Sequence, residues 1–135
     1  MPKLDVPTKT INKSQYKNYL QKANEFFSAM RDAYLDEIWN AVALNAVHAA
    51  VSANDAFCTY HYGVRCVSPK HADAVKLLIS LSKDEETKKN STHLAWLINR
   101  KNLVEYEARL FTAKEAETAT KHAERFLRWV KSKLS

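Results

Sequence analysis

A chain of 135 residues is close to the commonest size for one domain, and 46% apolar residues are enough for one compact core. One glycine and three prolines leave few positions for tight turns, which argues against an all-β fold. No apolar run reaches the roughly 18–20 residues that span a bilayer, and the N-terminus does not resemble a signal peptide, so we expect a cytoplasmic protein without membrane contact.

The net charge of +6 is unevenly distributed along the chain. Residues 106–135 carry seven Lys/Arg against four Asp/Glu, a local net charge of +3. A surplus of this size permits an RNA or acidic protein partner without requiring one, because surface lysines also serve solubility.

The N-terminal end predicts a flexible tail over residues 1–11, or an arm that docks on a partner, ahead of a single domain over residues 12–135. Asn12 and Gln15 have the spacing of a capping box, so the first helix is expected to begin there. Apolar and aromatic residues then recur at helical spacing as far as Met30.

The second predicted helix begins near Asp36, runs to about His61 and is rich in alanine. Small residues on several faces let other helices approach closely, so we expect this helix to be central and buried nearly all round. An uncompensated buried carboxylate is costly, so Asp55, together with Asn45, is expected to face the fourth helix near Arg100 or Lys101.

The next segments offer several helix boundaries. Gly63 follows the second helix directly and fits a left-handed C-terminal cap. Ser68 is the expected N-cap of a short third helix with Pro69 at its first position. The polar segment "SKDEETKKNST" is either a loop or the start of the fourth helix, with Ser82, Glu85 and Ser91 as candidate caps.

The last predicted helix has a distinct start, a capping box made by Thr112 and Glu115. The elements together predict an all-α fold, an antiparallel four-helix bundle with one additional short helix. Cys58 and Cys66 permit a disulfide if the chain turns at Gly63, but free thiols are favoured in a reducing compartment. Four metal ligands at zinc-like spacing are not visible, so we predict neither a metal nor a cofactor. The histidines are scattered along the chain and do not supply such a set: His48, His61, His71, His93 and His122.

The stretch "NRKNLVEYE", residues 99–107, lies on the second half of the predicted fourth helix. Lys101 and Glu105 are four residues apart, so helical geometry favours a salt bridge between them. His93, Trp96 and Arg100 share a face, an arrangement that suits either binding of a base and a phosphate or covering of an interface.

The helix order and two stretches, "NAVALNAVHAAVSANDAF" and "NRKNLVEYEARLFTAKEAETATKHAERFL", resemble the HEPN family over about residues 12–133. The resemblance implies a small helical bundle that usually pairs as a homodimer. Many members are metal-independent RNA endonucleases, often toxins beside a nucleotidyltransferase antitoxin or parts of defence systems. Their motif is an arginine, then four to six residues, then a histidine, and the two copies face each other across the dimer.

In that family the arginine holds the scissile phosphate, and the histidine assists attack by the RNA 2′-hydroxyl. Arg100 matches the arginine, and Lys101 occupies the polar position that commonly follows it. The histidine position holds Glu105 or Tyr106, and residues 105–107 contain no histidine. A glutamate with an ordinary pKa of about 4.3 is a poor general acid at neutral pH and repels a phosphate.

We therefore expect a dimeric binding or scaffold module, associated with RNA or a nucleotide, whose ribonuclease motif is degenerate. Its ligand or dimer groove would be lined by Lys101, Asn102, Asp55, Asn45 and His93. One alternative is an active, metal-independent endoribonuclease with Arg100 on the phosphate and Glu105, His93 or Tyr106 transferring protons. The other is an unrelated helical domain that binds a protein.

Overall fold

The computed structural model describes residues 6–134. In chain order the elements are β1 (Thr8–Thr10), a 3₁₀ helix (Lys13–Gln15), α1 (Tyr16–Leu35), α2 (Trp39–Tyr62), β2 (Val64–Cys66), α3 (Ala72–Leu81), α4 (Glu85–Asn99), α5 (Lys101–Tyr106) and α6 (Ala113–Ser132). The predicted all-α class is confirmed, with β1 and β2 as a small antiparallel addition. No helix within residues 6–134 is both long and apolar enough to cross a membrane.

Helix α2 is the centre of the bundle, as its alanines predicted. It packs against α1, α6, α4 and α5, and its small residues are almost entirely buried: Ala43, Ala46, Ala49, Ala50, Ala53 and Ala56. The absence of bulky side chains at these positions is what lets neighbouring helices approach closely. The helix begins at Trp39 rather than Asp36, because Glu37 adopts a left-handed conformation (φ 58°) in the connection from α1.

Gly63 ends α2 in the predicted left-handed conformation (φ 65°), and its N–H donates to the Thr59 carbonyl at 3.0 Å. This turn leads the chain into β2, which pairs with β1 in the register Thr8↔Cys66 and Thr10↔Val64. The flexible-tail prediction is therefore wrong for residues 6–11, where backbone pairing and burial of Val6 hold the chain. Residues 1–5 of the predicted tail lie outside the described residues.

Asn12 acts as a cap, but its side chain accepts from the Ser14 N–H at 2.9 Å and begins a 3₁₀ turn before α1. The Gln15 side chain instead accepts from Asn18 at 2.8 Å, so the predicted reciprocal capping box does not form. At α6, by contrast, the capping box of Thr112 and Glu115 is confirmed, with both of its hydrogen bonds present.

The predicted caps of α3 and α4 are wrong. Helix α3 begins at Ala72, because Ser68 folds into a local turn in which its hydroxyl accepts from the Lys70 N–H and donates to Asp73. Helix α4 is capped by Asp84, whose carboxylate accepts from the Thr87 N–H at 2.7 Å. The Ser82 hydroxyl contacts Thr87 at 2.8 Å, and Ser91 lies within the helix.

Candidate functional site

The polar motif lies at a break between two helices rather than along one continuous helix. Helix α4 ends at Asn99 and α5 begins at Lys101, with Arg100 at the junction. The Arg100 N–H donates to the Leu97 carbonyl at 3.1 Å, a bond that spans three residues and tightens the last turn of α4. The Arg100 carbonyl accepts from the Val104 N–H at 3.1 Å and starts α5.

The Arg100 side chain folds back over α4. Its guanidinium carbon lies 3.7 Å from the centre of the Trp96 ring, and its Nη1 donates to the Trp96 carbonyl at 3.2 Å. Among residues 6–134, no carboxylate lies within ion-pair distance of Arg100. Arg100 is therefore a half-buried cation, held in one orientation by cation–π contact and not neutralised by an acid.

Two histidines from different helices join this stack. His122 of α6 stacks on the Trp96 ring, with centroids 4.6 Å apart and planes 25° apart. Its Nδ1 lies 2.9 Å from Nδ1 of His93 on α4, so one imidazole donates and the other accepts. We name the four residues His93, Trp96, Arg100 and His122 the α4–α6 cluster.

The electrostatics of the α4–α6 cluster keep both imidazoles neutral at pH 7. Burial lowers the pKa of His93, and the nearby cations of Arg125 and Lys89 lower it further. Burial, followed by His93, Arg125 and Arg100, lowers the pKa of His122 to about 4. Because one Nδ1 donates to the other, the pair carries one basic Nε2 and one protonated Nε2.

Lys101 and Glu105 form the predicted i,i+4 salt bridge, at 2.8 Å, with side chains only 12% and 19% exposed. The hydrogen bond from Lys101 lowers the pKa of Glu105, which therefore stays ionised at neutral pH. His48 of α2 lies close enough for its own pKa to respond to this pair, although burial dominates and lowers it. Tyr106 is 77% exposed at the end of α5.

The predicted partner of Asp55 is wrong. The Asp55 carboxylate is buried and accepts from Nε of Arg65 on β2 at 3.1 Å, rather than meeting Arg100 or Lys101. Strand β2 runs straight out of the Gly63 turn that ends α2, so its arginine lies beside the last turns of that helix. Burial raises the pKa of Asp55 to about 6, although Arg65 opposes the shift.

The remaining predicted ligand residues do not converge on one point. Asn45 donates to the Ala41 carbonyl of its own helix at 2.9 Å, and Asn102 is exposed on α5. His93 and Arg100 are brought together through Trp96 and His122. Sequence reasoning missed His122 as a site residue, although its place on the last predicted helix, three residues before Arg125, was a usable signal. In the described part of the chain no three of His, Cys, Asp and Glu gather as metal ligands would.

The fold and this cluster define an all-α bundle with an arginine-aromatic site at a helix break. A family model of the HEPN domain matches residues 16–133, from the first residue of α1 to just beyond α6. The chain belongs to the HEPN family, a class of helical modules associated with nucleotides and RNA, as the helix order and the two quoted stretches predicted. A comparison with curated proteins finds no match.

Proposed function

We propose that the chain is a dimeric HEPN binding or scaffold module that holds RNA or a nucleotide through phosphate contact at Arg100, with a degenerate ribonuclease motif. The observation that carries the proposal is that Arg100 has no acidic partner among the described residues. Glu105, at the motif's histidine position, forms a salt bridge with Lys101 instead. The motif thus retains its phosphate-binding member and lacks its proton-transfer member.

The charges around Arg100 support binding of an anion. Lys101 neutralises Glu105, so the glutamate does not repel an incoming phosphate as a lone carboxylate would. The neutral imidazoles of His93 and His122 add no charge, so the net charge around Arg100 is positive, with Arg125 and Lys89 as the other nearby cations. Guanidinium binds phosphate oxygens through parallel N–H donors, and its stacking on Trp96 reduces the side-chain freedom lost on binding.

Fluorescence anisotropy with a labelled single-stranded RNA of mixed sequence tests the proposal. We expect Arg100→Ala to weaken binding about tenfold or more at low salt, where phosphate contacts contribute most. Arg31→Ala is the matched control, because Arg31 is an exposed arginine on α1 and its loss changes the net charge equally. Equal affinities of the wild type and Arg100→Ala would refute a phosphate contact at Arg100.

Two further measurements separate the parts of the proposal. The RNA should remain intact in EDTA, as a binding module requires. Light scattering should give a mass of twice the 15.5 kDa chain, and a monomer at binding concentrations would remove the dimer from the proposal.

The contact between His93 and His122 favours a second candidate function, metal-independent RNA cleavage. In this reaction the RNA 2′-oxygen bonds to phosphorus and the bond from phosphorus to the 5′-oxygen breaks. One Nε2 would take the 2′-hydroxyl proton, the shared Nδ1 proton would cross to the other ring, and that ring's Nε2–H would protonate the leaving oxygen. The pair stays neutral throughout, so its lowered pKa values do not prevent the transfer.

Product analysis distinguishes this candidate from simple binding. Cleavage in EDTA that leaves 2′,3′-cyclic phosphate ends, and that is lost in both His93→Asn and His122→Asn while RNA binding persists, would establish the enzyme. Cleavage that survives both substitutions would exclude the histidine pair as its source.

A further inference from the structure

An open groove of about 700 Å³ runs between α3 and α4, and none of its lining residues belongs to the α4–α6 cluster. Its floor is apolar. Val75 and Ile79, one turn apart, supply the α3 wall, and Ala95 and Ile98 supply the α4 wall. Such spacings align side chains on one face of each helix, so the groove has two parallel apolar ridges.

Helix α3 carries more apolar surface than its own core contacts require. Leu77 and Leu78 are fully buried on the side of α3 that meets the bundle, whereas Val75 and Ile79 are only half-buried. Residues 82–84 join α3 to α4 directly, so the two helices are antiparallel neighbours. Two adjacent helices with an apolar seam between them have the shape that accepts a third helix.

The rim of the groove is positive. Lys76, Lys83 and Lys88 line it, all three are exposed, and its lining residues include no carboxylate. Lys88 lies 3.9 Å from Glu85, and within the described residues neither Lys76 nor Lys83 has an ion-pair partner. The groove therefore combines an apolar floor with cationic edges.

We propose that this groove docks an acidic amphipathic helix of a partner protein, independently of the site at Arg100. Helix α3 spans ten residues, about 15 Å, so it contacts about three turns of a docked helix. Apolar side chains at positions i, i+4 and i+7 would enter the groove, and flanking Asp or Glu would meet the lysines. A second copy of this chain fits poorly, because a two-fold contact presents the same lysine rim to itself.

The probe is a labelled synthetic helix of about 18 residues with a leucine stripe flanked by glutamates, long enough for about five turns. A scrambled peptide of identical composition lacks the stripe, and a third peptide replaces glutamate with lysine. We expect the striped acidic peptide to bind, and the other two to bind at least about tenfold more weakly. Amide chemical-shift changes should fall on α3 and α4.

Two variants place the contact in the groove. The triple substitution Lys76→Glu, Lys83→Glu and Lys88→Glu, at exposed positions, should weaken the acidic peptide about tenfold and strengthen the lysine peptide. Ile79→Gln should weaken the striped peptide and leave the scrambled one unaffected, with circular dichroism confirming the fold. Equal binding of the striped and scrambled peptides would show that the groove binds acidic peptides through charge alone, and it would overturn the proposal.

Two other outcomes would also overturn it. One is failure of the striped peptide to bind at millimolar concentration. The other is conversion of a dimer to a monomer by Ile79→Gln, which would make a second copy of the chain the occupant.

Discussion

The ion pair between Asp55 and Arg65 gives a prediction that is specific to the tertiary structure. Asp55 is buried on the central helix, with a side chain 9% exposed, and Nε of Arg65 lies 3.1 Å from its carboxylate. Arg65→Met removes the charge, together with the contact between the guanidinium carbon and the Tyr19 ring at 5.5 Å, and keeps most of the apolar stem. The substitution therefore leaves a buried carboxylate without its cation.

The free-energy cost can be bounded from the distance between the two charged groups. At 3.1 Å, the attraction between unit charges is about 1 kcal/mol in bulk water and about 5 kcal/mol at an effective dielectric constant of 20. The Arg65 side chain is 39% exposed, so solvent screening moves the value towards the lower end. We expect a loss of about 2 kcal/mol in the free energy of unfolding when Asp55 is ionised.

The pH dependence of this loss follows from the pKa of Asp55. Burial raises that pKa from 3.8 to about 6 in the folded protein, so the folded state binds the proton more tightly than the unfolded chain. The contribution of Asp55 to the free energy of unfolding therefore falls, by about 3 kcal/mol, as pH rises from 3.8 to 6. Without Arg65 the pKa is higher still, so the fall is larger and extends to higher pH.

Urea unfolding at pH 4.5 and pH 8, followed by circular dichroism, measures the effect. Arg65→Met should cost about 2 kcal/mol more at pH 8 than at pH 4.5, where folded Asp55 is protonated in both proteins. In an Asp55→Asn background the pH-dependent part should vanish. Arg31→Ala is the control, because it removes an exposed arginine of α1, and it should leave the pH profile unchanged. An equal cost at both pH values, or the same profile from Arg31→Ala, would refute the assignment of Arg65 as the partner.

Three other predictions test packing, capping and thiol burial. Ala49→Leu should lower the melting temperature, because Ala49 is fully buried and overpacking costs about 1–3 kcal/mol; an unchanged melting temperature would show that α2 is not enclosed. Thr112→Ala should cost about 1 kcal/mol in urea unfolding by removing the cap of α6, whereas Thr112→Ser should restore most of it. Burial raises the pKa of the Cys58 thiol far above its ordinary value, so iodoacetamide should label only Cys66 in the native protein. Detection of labelled Cys58 by mass spectrometry before unfolding would contradict its burial.

The features that sequence reasoning predicted correctly are those whose partners lie within one helical turn. The Lys101–Glu105 bridge and the Thr112–Glu115 capping box follow from the 3.6-residue repeat, which places residues three and four apart beside each other. Gly63 could be predicted as a left-handed cap because glycine adopts that conformation without steric cost. The burial of α2 followed from its run of small residues.

The features that needed tertiary structure join residues far apart in the chain. His93 and His122 are separated by 29 residues and meet because α4 packs on α6, an arrangement that helical periodicity within either segment does not specify. Strand β1 pairs with β2, and Asp55 forms its ion pair with Arg65, because of the direction that the chain takes after Gly63. The sequence by itself determined the long helices, the central position of α2 and the family, because the periodicity, the run of small residues and the order of the helices can all be recognised along the chain. Only the packing of α4 on α6 brought His122 to the face that His93, Trp96 and Arg100 share, and so gave the motif lacking a histidine after Arg100 a nearby pair of histidines.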